Sequence, residues 1–435
     1  MSTTAHFGGR FVSRSLTLAL ATVLFTAAAR AGESAGESAG EATLVALTAQ
    51  LNAAEAETRR QAVEALLALG ETARPAVSDL VRALSDEDAE VCAAAAVALA
   101  RLAAEPDRVL PLLAARLDDT TDTQRGPLWA VTGYALGHYG RAAVPHVAAA
   151  LRSTASARCR SGLLAIDRIG ADAHELVPDV IAILQRDDPQ TRIYAIGALR
   201  AIGPAAKEAL PELVKQLSSD DFHTQYWACR ALGAIGPEAR AAAGDLVICL
   251  RSGVTSVRRN AAAALGNIGP QVGQAAVDAL IAALSDSNQM VRQNAVVALG
   301  QLKPLAAPAV PVIERLLEEP SKFIPRAPAA RTLWLLAPES PLPAQALLRD
   351  LEGDNDPWTA APMFREIRAT DETLQRLVAL LDSTNVWIRQ FAAVALLESG
   401  AQTQRARSVL EQLAQSADEE TRESALASLE RLKDK

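Results

Sequence analysis

The chain has 435 residues, half of them hydrophobic and only 4% aromatic, and its 43 Lys and Arg against 51 Asp and Glu leave a net charge of −8. An acidic balance sets a chain against phosphate backbones, so nucleic acid is not an expected partner. Apolar content drawn mainly from alanine and leucine suits closely packed helices better than sheets, which favour Val, Ile, Thr and aromatics.

The N-terminus reads as an address. Arg10 and Arg14 precede an apolar run, Leu16 to Ala29, that is short for a membrane span, and Ala29-Arg30-Ala31 fits a small-residue cleavage site. Residues 1–31 are therefore expected to be a signal peptide, and the protein to be exported to the periplasm or the exterior. No cysteine lies beside the site, no adjacent arginine pair marks twin-arginine export, and no later segment is expected to span a membrane. Cleavage would remove Arg10, Arg14 and Arg30 and no acid, so 43 bases fall to 40 against 51 acids, a net −11. Residues 32–41 repeat GESA and read as a flexible linker.

From residue 42 onward one sentence repeats. Ile202-Gly203-Pro204 returns as Ile235-Gly236-Pro237 and Ile268-Gly269-Pro270, each 33 residues on, and Leu199, Leu232 and Leu265 keep the same step. A fixed period of that size marks a stacked-repeat array, in which each unit buries its apolar face only against its neighbours. About twelve such units fill the chain to Lys435, and each reads as two helices with no sheet. The first helix is expected to open with proline, as at Pro111, Pro145, Pro178, Pro211 and Pro311, because the first turn needs no N–H there. A polar turn follows, such as Ser285-Asp286-Ser287-Asn288, whose side chains can cap the second helix.

The second helix carries an arginine near its start: Arg59, Arg192, Arg258, Arg292, Arg326, Arg389 and Arg422, with Cys92, Trp129, Cys159 and Gln225 standing in its place elsewhere. One reading is a row of anion-binding groups. The favoured one is a structural ladder, each arginine bonding a turn carboxylate or helix-end carbonyl of the adjacent repeat, with Asp188, Asp221, Asp286 and Asp382 as the natural acids.

The Asp-rich turn, the Val257-Arg258 and Val291-Arg292 steps and the Ala-Leu-Gly-x-Ile-Gly endings at 231–236 and 264–269 resemble HEAT repeats. They are similar above all to the short HEAT-like repeats also found in phycobilin lyases and many bacterial proteins. The resemblance covers nearly all of residues 41–435. It implies an all-α, right-handed α-α superhelix of about twelve two-helix repeats, binding its partners on the concave surface that second helices line. Residues 42–319 are regular repeats. Residues 320–370 are degenerate, with eight of the 22 prolines between 320 and 362, and read as a bend or looser joint. Residues 371–435 hold the C-terminal repeats and cap.

Little in the chain suggests chemistry. His138, His146, His174 and His223 are scattered, His6 leaves with the signal, and the single His174-Glu175 dyad excludes the di-iron chemistry of the HEAT-like deoxyhypusine hydroxylases. Phosphate-loop, dinucleotide and nucleophile-elbow motifs are missing. The four cysteines sit singly in helical patterns and read as free buried thiols, with Cys229 and Cys249 the one pair close enough to consider for a bridge. The expected function is a non-catalytic protein-interaction scaffold with no cofactor, metal or catalytic residue. The alternative is a HEAT-like lyase or chaperone-type enzyme related to phycobilin lyases. Tyr194, Trp227 and Phe391 share one register, as core positions would. Trp129 and Tyr226 lie off it and are expected to be exposed. The expected protein-binding site spans the third to sixth repeats, centred on Trp129, Tyr134, Tyr226 and Arg230, with Arg160, Arg168 and Arg200 able to meet an acidic partner segment.

Overall fold

The computed structural model describes residues 33–318, 326–353, 357–401 and 403–432, with side chains from residue 42. The signal-peptide reading, the side chains of the expected linker, and Pro320 and Pro325 lie outside the described residues. The chain divides into two compact units, Met1–Ile202 and Gly203–Lys435. Among the described residues the first holds five helix pairs and the second seven.

Why the sequence folds this way is visible at the repeat endings. Ala231, Leu232 and Ile235, and Ala264, Leu265 and Ile268, are all at most 2% exposed. They fall three and four apart, so each second helix turns a small-residue stripe onto its neighbours. Gly236 then takes φ 73° and donates its N–H to the Leu232 carbonyl; Gly269 repeats this at φ 85°. That left-handed cap costs a residue with a Cβ free energy that glycine avoids. A short 3₁₀ segment such as Gly236–Ala242 leads into the next first helix. Pro145, Pro178 and Pro211 occupy the second position of Val144–Leu151, Val177–Leu184 and Leu210–Gln216, where no backbone bond is lost. Pro111 differs: its helix starts at Pro106, which puts Pro111 inside Pro106–Ala115.

Second helices approach one another most closely where glycine replaces a side chain. In the first unit Leu128–Gly137 packs on Ser156–Ile169, and a Cβ at Gly133 would lie 2.6 Å from the Ser161 carbonyl oxygen. At Gly137 the same construction meets the Ala165 carbonyl oxygen at 2.6 Å. These helices touch backbone to backbone.

Two expectations need correction. A two-stranded antiparallel ladder, Asp122–Thr123 with Gly126–Pro127, interrupts the third repeat, so the chain is not wholly without strand. The polar insertion there has no apolar period to keep it helical, and it folds back on itself through Thr123, whose hydroxyl donates to the Gly126 carbonyl at 2.6 Å. The backbone is already helical from Glu33, within the segment expected as a linker; alanine and glutamate between the glycines are strong helix formers. The proline-rich stretch keeps three helices, Arg326–Leu336, Leu342–Glu352 and Pro357–Met363. Pro328, Pro343 and Pro357 sit in first turns, where proline is tolerated, and among the described prolines of this stretch only Pro362 lies within a helix body.

Candidate partner-binding surface

The arginine ladder comes first, because it fixes how the second helices present their faces. Among the described residues, six of the seven arginines bond the carbonyl six residues before them, in the turn of their own repeat: Arg59 to Ala53, Arg192 to Arg186, Arg258 to Ser252, Arg292 to Asp286, Arg389 to Ser383 and Arg422 to Ser416, at 2.6–3.2 Å. Gln225 does the same to Ser219 at 2.7 Å. A carboxylate of the following repeat joins in at Arg59, Arg258 and Arg326. Arg59 grips Asp86 at 2.7 and 2.8 Å, Arg258 grips Asp286 at 2.7 and 2.9 Å, and Arg326 bonds the buried Asp350.

Of the acids expected as partners, Asp286 alone pairs with a ladder arginine. Asp221 caps its own helix, accepting from the N–H of His223 and Thr224 and from the Thr224 hydroxyl. Asp188 accepts likewise from the Thr191 N–H and hydroxyl, which hold its carboxyl down at about 2. Asp382 pairs with Arg405 at 2.7 Å. A second set of arginines reaches backwards. Arg186 donates to the carbonyls of Leu151 and Ser153 and to the Cys159 sulfur, filling the place that an arginine at position 159 would take. Arg116 donates to the Asp86 carbonyl at 3.2 Å and Arg349 to that of Leu317 at 3.1 Å.

In the first unit, Trp129 is 9% exposed and therefore buried, contrary to expectation. Arg160 lies over its ring at 5.4 Å, and Tyr194, itself half-buried, meets it edge-on at 6.1 Å. Arg160 also donates to the Gln190 side chain at 2.8 Å. Tyr134, on the same helix, is 49% exposed. Its ring meets the His138 imidazole at 4.9 Å and the Arg168 guanidinium at 5.7 Å. Burial, helped by Arg168 and Arg101, lowers the His138 pKa. Arg200 is engaged by Asp167 at 2.7 Å. The hairpin lies close by: Arg125 reaches back to Glu64 at 3.1 Å, and the Gln124 N–H donates to the Glu90 carboxylate at 2.6 Å.

In the second unit, Phe222–Ile235 presents Tyr226, Trp227 and Arg230 together. The Arg230 guanidinium is 4.8 Å from the Trp227 ring and 5.5 Å from that of Tyr226, and it donates to the Tyr226 hydroxyl at 3.0 Å. All three are half-buried. Sequence reasoning missed the part that Trp358 plays in a second cluster, with Trp387 and Phe391. Trp358, 56% exposed, packs edge-on against the buried Phe391 at 4.7 Å and lies tilted against Trp387 at 5.9 Å. The signal was present, since Trp358 and Phe391 stand one 33-residue step apart. Trp129 and Tyr134 thus belong to one compact unit, and Tyr226 and Arg230 to the other.

The cysteines are all free and buried. Burial pushes Cys92 up to about 11. The neighbouring Cys249 and burial both push the Cys229 thiol up. Among the described residues no group of three His, Cys, Asp or Glu side chains could hold a metal ion, and no helix is long and apolar enough to cross a membrane.

A sequence model of the family described as HEAT repeats matches residues 44–132, 177–253 and 242–334, together more than half of the chain. Among solved structures, importin beta is similar at TM-score 0.52 and 16% identity, over 94% of this chain and 68% of that one. Kap95p, in a structure with RanGDP, is similar at TM-score 0.57 and 15% identity, over 96% of this chain and 66% of that one. A complex of CpcE and CpcF of phycocyanin lyase from Nostoc sp. aligns at TM-score 0.35 and 21% identity, over 55% of this chain and 94% of that one. The first two likenesses are of fold; the third is too distant to carry an argument. No curated protein matches the sequence significantly.

Proposed function

Because the chain belongs to the HEAT-repeat family, we propose that it works as a non-catalytic scaffold that binds protein partners along the faces of its second helices. The observation that carries this reading is the pairing of guanidinium groups with partly exposed aromatic rings: Arg168 with Tyr134, and Arg230 with Tyr226 and Trp227. Tyr, Trp and Arg are the residues that dominate binding hot spots, because each offers a large, stiff surface with a polar handle. Arginine stacked on a ring is also held in place before a partner arrives, which reduces the ordering cost of binding. Kap95p, similar in fold, binds a protein, RanGDP, as this reading asks of the present chain.

Export completes the proposal: the scaffold acts in the periplasm or outside the cell, as the first 31 residues suggest. The test is site-specific photocrosslinking in the native host. A benzoylphenylalanine at position 134 or 226 is expected to trap a discrete protein partner, and the same probe on the exposed first-helix residue Ile248 is expected to trap none. Crosslinks confined to Ile248, or none at any position, would overturn the reading.

A further inference from the structure

The scaffold reading leaves the chemistry of the partner open, and the surroundings of Tyr134 narrow it. Arg101 ends the second helix of the second repeat, Tyr134 lies one 33-residue step on, and Arg168 ends the second helix of the fourth. Both arginines are exposed. Arg168 lies over the Tyr134 ring at 5.7 Å, and His138 closes its edge at 4.9 Å. The same step places an acid, Asp167, next in register, but Arg200 already holds it at 2.7 Å. Among the described residues neither Arg101 nor Arg168 has a carboxylate within ion-pair distance. By contrast, Arg60, Arg74, Arg82, Arg108 and Arg152 are each matched by a nearby acid. A protein of net charge −8 therefore exposes a small cationic patch built around an exposed aromatic ring.

We propose, building on the scaffold reading, that the Arg101–Tyr134–Arg168 patch is the docking point for an acidic, carboxylate-rich peptide segment of the partner. Each guanidinium can take a carboxylate in two parallel hydrogen bonds, and the tyrosine hydroxyl can donate to a third acceptor between them. The ring supplies apolar contact for the methylene groups of glutamate side chains. The surrounding negative charge of the chain keeps such a segment from binding elsewhere on the surface, so the patch gives specificity as well as attraction.

The test uses the full chain and a fluorescein-labelled twelve-residue peptide of alternating glutamate and glycine, followed by fluorescence anisotropy, with the glutamine counterpart as control. The glutamate peptide is expected to bind and the glutamine peptide to bind at least tenfold more weakly. R101E/R168E is expected to weaken the glutamate peptide at least tenfold with an unchanged melting temperature. Should that variant fail to fold, Tyr134→Ala and Arg168→Gln are each expected to weaken binding about threefold or more. No binding by the wild-type chain, equal binding of the two peptides, or full affinity in the variants would each overturn the proposal. A phosphopeptide that binds through this patch while the glutamate peptide does not would overturn it too, in favour of phosphate recognition. A chain that crosslinks a partner yet ignores the glutamate peptide keeps the scaffold reading and loses this one.

Discussion

Arg258 and Asp286 clasp each other across the junction of two repeats, through two parallel hydrogen bonds of 2.7 and 2.9 Å. The same guanidinium donates to the Ser252 carbonyl at 2.9 Å, so one side chain ties its own turn to the turn that follows. Arg59 and Asp86 do likewise in the first unit. Arg389 makes only the first of these ties, to Ser383 at 2.7 Å.

The difference predicts graded stability. Arg258→Ala leaves a half-buried carboxylate and a carbonyl without their donor, and is expected to cost about 2–3 kcal/mol; Arg389→Ala, which strands one carbonyl, about 1 kcal/mol. Urea unfolding of the two variants measures both. Equal losses would show that the carboxylate adds nothing to the ladder.

Close approach between second helices predicts a steric penalty. Gly133→Ala places a methyl carbon 2.6 Å from the Ser161 carbonyl oxygen, so one helix must move. The expected loss is about 1–3 kcal/mol, as for other overpacked cores. Gly197→Ala is the control, because a Cβ there meets nothing within 4 Å, and it is expected to be neutral or slightly stabilising. Equal melting temperatures for the two variants would contradict the packing account.

Acid should loosen the helix caps in a defined window. The Thr191 hydroxyl and N–H hold Asp188 at about 2, below its ordinary value of 3.8. A carboxyl whose folded pKa is depressed stabilises the fold above the unfolded value and ceases to do so as pH falls through the folded one. The contribution is therefore complete above about pH 5 and lost between about pH 4 and pH 2. Thr191→Val is expected to lower the melting temperature at pH 7 and to match the wild type near pH 2. A gap that persists at pH 2 would assign the effect to packing of Thr191 instead.

Export is open to a direct check. Cleavage after Ala31 predicts a mature chain that starts at Gly32 and is recovered outside the cytoplasm. A cytoplasmic protein with an intact Met1 start would remove that part of the proposal.

The fold was legible because its signal is repeated: the Ala-Leu-Gly-x-Ile-Gly endings specify the buried stripe and the left-handed glycine cap in one string. The ladder's partners were less so, yet the turns hold the clue. In Asp86-Glu87-Asp88 and Asp286-Ser287-Asn288 the third residue caps the helix, which leaves the first to meet the arginine of the preceding repeat. Where Asp188 or Asp221 is itself the cap, a threonine three residues on takes its oxygens. The position of Trp129 was not legible. Its cover comes from Arg160 and Tyr194, in later repeats, and register alone does not tell a side chain that is covered from one left in water. The hairpin at 122–127 was hidden for another reason: two-residue strands carry no alternation to read.

The central claim, that guanidinium–aromatic clusters on the second helices bind a protein, meets its most direct test in one titration. The partner trapped by crosslinking is purified and titrated calorimetrically against the wild-type chain and a Tyr226→Ala, Arg230→Ala variant. Truncated hot-spot residues cost upward of about 2 kcal/mol, roughly thirtyfold in affinity. A loss of at least that size with an unchanged melting temperature is the predicted result. Undiminished affinity in a fully folded variant would contradict the account.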